Sequence, residues 1–447
     1  MANAIHYQLK QLYNLTVIES LSDCQFLPRY SFPIGLINLK VIEPDPDDPR
    51  RVREEDQFRL QRSGLLALGE YVPGSQLLAG GRLITSRGLL KHWTGENLDN
   101  SPGLRGLSAT CCNGHVFYEI SGKQLESCTI CEAPARSNRP QAFLIPKYGF
   151  SSAAWDPPKV SGDVEKVGRT ERATVTFRHN DAAQHENFGG IAGLSAQYKE
   201  DGEIFVYNTG EFNEGFIICT HCGYAESEPN QENGKCDHVP KSFQQHAPLR
   251  FSKRGKKTSC EGALTPLRKQ WLAARQTTDA LLLNFSRFPN IWNQEEADVM
   301  LTTLGYALQN AGAKLLGLDT RELGVLTLAR FGVVLYDNVP GGAGHVFELT
   351  KIGREWLEAA REQMFVNADH HKRCETACLD CLLTFDAQVA ADQGRLARRK
   401  AYDVLTRLLQ GEPLPIPPPA ESPEDPLLSS RKSKSKEERL ARSRRRT

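Results

Sequence analysis

The sequence predicts a multidomain protein of mixed α+β and α/β class, with a β-rich N-terminal part, Cys-rich knuckles and a C-terminal α/β unit. Three observations predict it. Eleven of the twelve cysteines fall in or between the parts of three clusters, at 111–131, 219–260 and 374–381. Short alternating runs such as Ala173-Thr174-Val175-Thr176-Phe177 and Ile204-Phe205-Val206-Tyr207 mark strands through the middle of the chain. After residue 277, an apolar strand run is followed by a helical stripe at 297, 300, 301, 304, 308 and 311. A chain of 447 residues holds two to four domains, and the boundaries expected are 1–110, 111–134, 135–276, 277–410 and 411–447.

Residues 1–20 carry apolar positions at Ile5, Leu9, Leu12 and Tyr13, which predicts a helix. Phe26 to Pro33 is extended or turning, because each proline disfavours helix in the residue before it. Ile34 to Ile42 reads as a strand, Glu43 to Arg50 as a Pro/Asp-rich loop, and 62–90 as a small β-rich domain. Residues 135–170, rich in Pro, Ser and Gly, are expected to form a long connection, and 227–258 to be irregular. In the C-terminal unit, Ala280–Leu283 with Phe285 predicts a buried strand, and Asn293 with Glu296 predicts a helix start. Val325 to Leu335 reads as strand. Pro340-Gly341-Gly342-Ala343-Gly344 breaks the chain before a helix over about 345–365, and a last helix fits 394–410 with Gly411 as its stop. Strands alternating with helices argue for a sheet that is at least partly parallel. Beyond 411 the chain is Pro-rich and then Ser/Lys/Arg-rich, a composition that cannot bury a core and predicts a disordered tail.

Net charge is only +1, so the chain as a whole is no polycation. The last seventeen residues nevertheless carry nine Lys/Arg against Glu437 and Glu438, and Arg442, Arg444 and Arg445 are candidates for nucleic-acid phosphates. The N-terminal residues lack the basic-then-apolar pattern of a signal peptide, and no window approaches eighteen apolar residues. A cytoplasmic chain keeps its thiols reduced, which favours metal over disulfides.

A C-x2-C turn places two thiolates on one side of a knuckle, as tetrahedral Zn²⁺ requires. In the first cluster Cys128 and Cys131 are candidates; Cys111 or Cys112 supplies a third ligand, and His115 or the other cysteine a fourth. In the second, Cys219, Cys222, His246 and Cys260 are candidates, with Cys236 and His238 competing for the last places. The third offers Cys374, Cys378 and Cys381, completed by His370 or His371. Cys-rich four-ligand sets leave no open position for water, so all three are expected to be structural rather than catalytic.

The turn at Gly341, Gly342 and Gly344 has two readings: a backbone nest for a phosphate, or a tight turn with close helix packing. Asp337 and His345 flank it. There is no G-x-x-x-x-G-K-[ST], no D-E-x-H box and no H-E-x-x-H, so the chain is not expected to hydrolyse ATP alone.

Leu335 to Gly344, followed by Cys374, Cys378 and Cys381, resembles the MrfA-type zinc-binding domain at the end of many bacterial DEAD/DEAH-box helicases. Related domains occur in helicase-associated subunits of phage-defence systems such as DISARM, whose DrmB subunit has no motor. Phe26–Pro33, Glu70–Gly74 with Gly80-Gly81, Phe216–Gly223 and Thr277-Thr278-Asp279 look like the region that follows the motor in those helicases. The family often has four cysteines in the last cluster, and this chain has three. The resemblance implies a non-catalytic, zinc-binding accessory subunit, or detached C-terminal part, of a DEAD/DEAH-box motor, supporting DNA binding in phage defence or DNA repair. A metal-dependent nuclease using Asp337 and His345, and a scaffold without nucleic-acid contact, are the alternatives.

Overall fold

A computed structural model describes residues 36–48, 51–55, 58–90, 103–112, 116–120, 125–128, 132–135, 140–160, 171–176, 183–229, 238–250, 259–285, 294–328, 332–384 and 387–412. The helix expected over 1–20, the Phe26–Pro33 segment, Asn293 and the basic tail lie outside them.

The organising element is one long strand. Strands β1 (Leu36–Pro44), β2 (Gly103–Thr110), β3 (Val116–Glu119), β4 (Gln141–Pro146), β5 (Glu171–Thr176), β6 (Leu194–Asn208), β7 (Phe216–Ile218), β8 (Ala225–Ser227) and β9 (Leu267–Phe285) precede the C-terminal hairpin, β10 (Leu323–Leu328) and β11 (Gly332–Asp337). The large sheet runs β5–β6–β9–β4–β2–β3, with β7 and β11 also pairing β9. The 19-residue β9 pairs with β6 over Leu272–Phe285 and with β7 at Leu267 and Gln270, while β4 pairs it at Trp271 and Leu272 and β11 at Ala280–Asn284.

Alternation along this strand divides the core. Leu281, Leu283 and Phe285 join Val333 and Leu335 on one face, under the C-terminal helices. Leu272, Ala274, Ala280 and Leu282 join Val334 and Tyr336 on the other, under β1 and helix α1 (Gly64–Glu70). Successive strand residues point to opposite faces, so a sheet covered on both sides reads as a continuous apolar run rather than an alternating one. That is why Ala280–Leu283 and Val333–Leu335 lack period two.

Helix α2 (Gln294–Leu316) lies on the first face, and the predicted stripe of Ala297, Met300, Leu301, Leu304, Leu308 and Ala311 is buried there. Expectation and structure part in three places. Residues 135–170 are not merely a connection: β4 sits inside the sheet with Phe143 and Leu144 buried. The helix expected over 345–365 is two, α3 (His345–Ile352) and α4 (Arg354–Gln363), broken at Gly353, whose φ of 57° is open to glycine and strained for other residues. The 325–335 run is a hairpin rather than one strand. Parallel pairing is present as expected, and among the described residues it joins β4 to β9 and β1 to Phe150–Ser151. Helices α5 (Ala368–Arg373) and α6 (Arg398–Gln410) complete the lobe, with Gly411 in the left-handed conformation as the α6 stop. No helix among the described residues is long and apolar enough to cross a membrane.

Candidate metal centres and the glycine turn

The second cysteine cluster begins where β7 ends. The Cys219 amide donates to the Tyr224 carbonyl (2.8 Å) and the Gly223 amide to the Cys219 carbonyl (2.9 Å), closing a tight knuckle. Gly223 has φ 86°, and a Cβ there would lie 2.2 Å from the Leu89 carbonyl oxygen. The chain then leaves and returns: His246 follows a one-turn helix at Lys241–Gln244, and the Cys260 amide donates to the His246 carbonyl (3.0 Å). Cys219, Cys222, His246 and Cys260 bring their ligand atoms within 4.8 Å of one another. Cys219 and Cys260 sulfurs are 3.8 Å apart, and Cys222 Sγ is 3.3 Å from His246 Nε2. Zinc–sulfur bonds of about 2.3 Å at the tetrahedral angle put two sulfurs about 3.8 Å apart, whereas a disulfide needs about 2.05 Å. The set therefore fits zinc.

Further contacts aim the ligands. His246 Nδ1 lies 2.5 Å from the Phe243 carbonyl, which turns Nε2 toward the sulfurs. Tyr224 stacks on the imidazole at 4.7 Å, and the Tyr224 amide donates to Cys222 Sγ (3.4 Å). Gly262 is needed for close approach, because a Cβ would meet Cys219 Sγ at 2.8 Å. Burial works against a charged His246, but hydrogen bonds to Cys219 and Cys260 outweigh it and raise the imidazole to about 10. Hydrogen bonding from Cys222 holds the Cys219 thiol far down, and the same contact pushes Cys222 far up. A cation shared by all four ligands relieves that conflict. His238 is exposed and stands outside the set, and Cys236 lies outside the described residues.

The third cluster is built on α5. Asn367 caps this helix by accepting from the His370 amide (2.8 Å), and the Cys374 amide donates back to the His370 carbonyl (2.8 Å). The Cys378 amide donates to Cys381 Sγ (3.2 Å). His370, Cys374, Cys378 and Cys381 converge within 4.8 Å, with sulfur separations of 3.9 Å (Cys374–Cys381) and 3.6 Å (Cys378–Cys381), and His370 Nε2 3.2 Å from Cys378 Sγ. These distances also fit tetrahedral zinc, with His370 in the fourth place. His371 turns away, packing against Phe365 and Tyr402 with Nδ1 3.4 Å from the Arg398 guanidinium. Burial pushes Cys381 up to about 12 in the absence of a metal.

In the first cluster Cys111 and Cys128 are buried together beside Ala109 and Phe117, while Cys112 is exposed. The Cys128 amide donates to the Ala133 carbonyl (2.8 Å) and the Glu132 amide to the Cys128 carbonyl (2.9 Å). His115 and Cys131 lie outside the described residues.

The glycine turn is used internally. The Asp337 carboxylate, fully buried, accepts from the amides of Ala343 (2.7 Å), His345 (3.0 Å) and Val346 (3.0 Å). Asp279 accepts from Gly344 (3.2 Å), the Gly341 amide donates to the Thr277 carbonyl (2.8 Å), and the Gly342 amide to Val339 (3.0 Å). Every amide from Gly341 to Val346 thus has an acceptor, and a phosphate on Gly341, Gly342 or Gly344 would have to displace one. Gly342, at φ 75°, is where a Cβ would lie 2.4 Å from the Asp279 carboxylate. Burial first, and the nearby Asp337 second, hold the Asp279 carboxyl above its usual range. The His345 ring lies 3.8 Å from Glu322. Arg442, Arg444 and Arg445 lie outside the described residues.

The C-terminal lobe is thus a zinc-stapled α/β domain. Residues 304–382 match the family model of the MrfA Zn-binding domain, a stretch that runs from within α2 through the glycine turn to His370, Cys374, Cys378 and Cys381. Among solved structures, the chain is similar to the DUF1998 helicase MrfA bound to DNA: 12% identity over 84% of this chain and 34% of that one, with a TM-score of 0.38. It is similar also to MrfA alone (14%, 83% and 34%, TM-score 0.30) and to MrfA bound to DNA and AMPPNP (11%, 85% and 32%, TM-score 0.30). The chain spans about a third of the length of those helicase chains. No curated protein matches.

Proposed function

We propose that this chain is a non-catalytic, zinc-binding accessory subunit, or the C-terminal part, of a DEAD/DEAH-box DNA helicase, supporting DNA binding in phage defence or DNA repair in the cytoplasm. The observation that carries the reading is the match of residues 304–382 to the MrfA Zn-binding domain, with a complete four-ligand cluster inside the match. Saturated ligand sets give zinc a stapling role, since no coordination position is left for substrate or water. The 447 residues contain no phosphate-binding loop of the NTPase type, so the motor in this reading is a separate chain or region. DNA contact is assigned to the basic tail, with Arg442, Arg444 and Arg445 against phosphates. The first centre, with Cys111, Cys128, Cys131 and either Cys112 or His115, is a third zinc staple; the exposure of Cys112 favours His115. The nuclease reading has no such support, because Asp337, on which it would rest, already has both oxygens engaged by backbone amides.

The test is a tagged pull-down from the native host, followed by ATPase assays. The chain alone is expected to hydrolyse no ATP, a DEAD/DEAH ATPase is expected to co-purify near stoichiometry, and its DNA affinity is expected to fall when the chain is omitted. Magnesium-dependent DNA cleavage by the chain alone, or no effect on any co-purified ATPase, would overturn the proposal.

A further inference from the structure

We propose that Arg398 is the counter-cation and clasp of the His370–Cys374–Cys378–Cys381 centre, a positioning residue that sets how tightly this site holds zinc. Arg398 opens α6 and its side chain is fully buried. A guanidinium offers five N–H donors, and all five are engaged. Nε donates to the Cys374 carbonyl (3.0 Å), Nη1 to the Met364 carbonyl (2.6 Å) and toward His371 Nδ1 (3.4 Å), and Nη2 to the His371 carbonyl (3.1 Å) and again to the Cys374 carbonyl. None of these acceptors is a carboxylate.

A buried cation without an opposite charge is strongly unfavourable. An arginine keeps its charge in any protein interior, so the compensation must come from its surroundings. Zinc bound by three thiolates and a neutral imidazole carries one net negative charge. Arg398 grips Cys374, one of those three cysteines, through the Cys374 carbonyl, and its charge offsets that of the partly buried centre. The grip extends along the metal loop. The Arg398 and Arg399 amides donate to the Thr376 (2.9 Å) and Glu375 (3.1 Å) carbonyls, and Arg399 Nε to His371 (3.0 Å). The first turn of α6 therefore holds the backbone of the zinc loop at residues 371, 374, 375 and 376. Among the described residues no arginine is hydrogen-bonded to the Cys219 centre, whose sulfurs face the Tyr224 amide and Gly262. That centre serves as the internal control.

The experiment is chelator competition on the full zinc-loaded chain. Zinc release is read stepwise with a colorimetric chelator, alongside thermal melting and the thiolate-to-metal charge-transfer bands of the Co²⁺ form. Outer partners of metal ligands typically change affinity about 10- to 100-fold. Arg398→Met is expected to weaken one zinc by that factor and to diminish the corresponding cobalt bands, leaving the Cys219 centre unchanged. Arg398→Lys, which keeps the charge but not the fork, is expected to recover most of the affinity even where melting stays depressed. Retention of zinc at the His370–Cys381 centre at parental affinity in Arg398→Met overturns the proposal. So does equal weakening in the Met and Lys variants, which marks a packing role. If Arg398→Met does not fold, Arg398→Lys decides: a loss beyond about tenfold refutes the charge role. A parental chain holding no zinc at His370–Cys381 would overturn the zinc assignment itself, a separate result.

Discussion

Asp337→Ala is the sharpest perturbation of this fold, because one buried carboxylate satisfies three backbone amides at the start of α3. Hydrogen bonds to a charged acceptor contribute about 1.5–3 kcal/mol each, and a buried donor left unsatisfied costs a similar amount. Three such bonds give about 4–9 kcal/mol. Removing the charge also relieves repulsion on Asp279, which offsets part of the loss, so the expected destabilisation is about 4 kcal/mol. For a unit of this size that is a fall in Tm of about 8–16 °C. The assay is thermal unfolding of the zinc-loaded protein, with hydrogen exchange at the amides of Ala343, His345 and Val346 as the local reporter. Asp337→Asn, which keeps one acceptor oxygen, should fall between. A Tm within about 2 °C of the parent, with gained affinity for inorganic phosphate, would refute the reasoning and return the turn to the role of an anion nest.

Two further outcomes follow from the same geometry. The folded Asp279 carboxyl titrates above its unfolded value, so the fold favours its protonated form and loses that contribution as pH rises through the folded pKa. Asp279→Asn should therefore match the parent in acid and be the more stable of the two near pH 7; a parental advantage that grows with pH would contradict this. Cys222→Ser should remove one zinc by mass spectrometry under native conditions and lower the melting temperature, with the His370–Cys381 centre still loaded; unchanged zinc content would dismiss the Cys219 set as a metal site.

Much of this arrangement was legible in the chain, and the rest was hidden for physical reasons. The C-x2-C spacings announced the knuckles because two thiolates on one tight turn are a local pattern. The α2 stripe was equally local. What spacing alone left open was which histidine completes each set: His370 and His371 are adjacent, and only the α5 cap at Asn367 turns the first inward and the second toward Tyr402. Cys236 and His238 competed with His246 for the same reason, since the return of a long insertion is not a periodic signal. In sequence β4 reads as connection, because Pro and Ser on either side outweigh six residues, Gln141–Pro146, whose strand identity comes from pairing with β2 and β9. Arg398 gave no sign in sequence. It lies 24 residues from Cys374 and 34 from Met364, and a charge run around 398–400 reads as a solvated face until the fold buries its first member.

The two complete centres do different amounts of work on the chain. The Cys219–Cys260 contact closes 41 residues, whereas His370 and Cys381, which bound the other centre, are 11 apart. In the chain-entropy account of a cross-link, that difference in loop length corresponds to about 1 kcal/mol in favour of the first. The first therefore acts chiefly against the entropy of a long insertion, and returns the chain to β9 at the point where its pairing with β7 begins. The second closes a short loop whose conformation helix α6 already holds through Arg398 and Arg399. There the metal and its buried cation stand in for hydrophobic side chains: Cys381 and Leu382 pack into the same core as Trp356, Leu357 and Met364. A tetrahedron of three thiolates and one imidazole at that position extends the core of the C-terminal lobe into a segment too short and too polar to supply one itself.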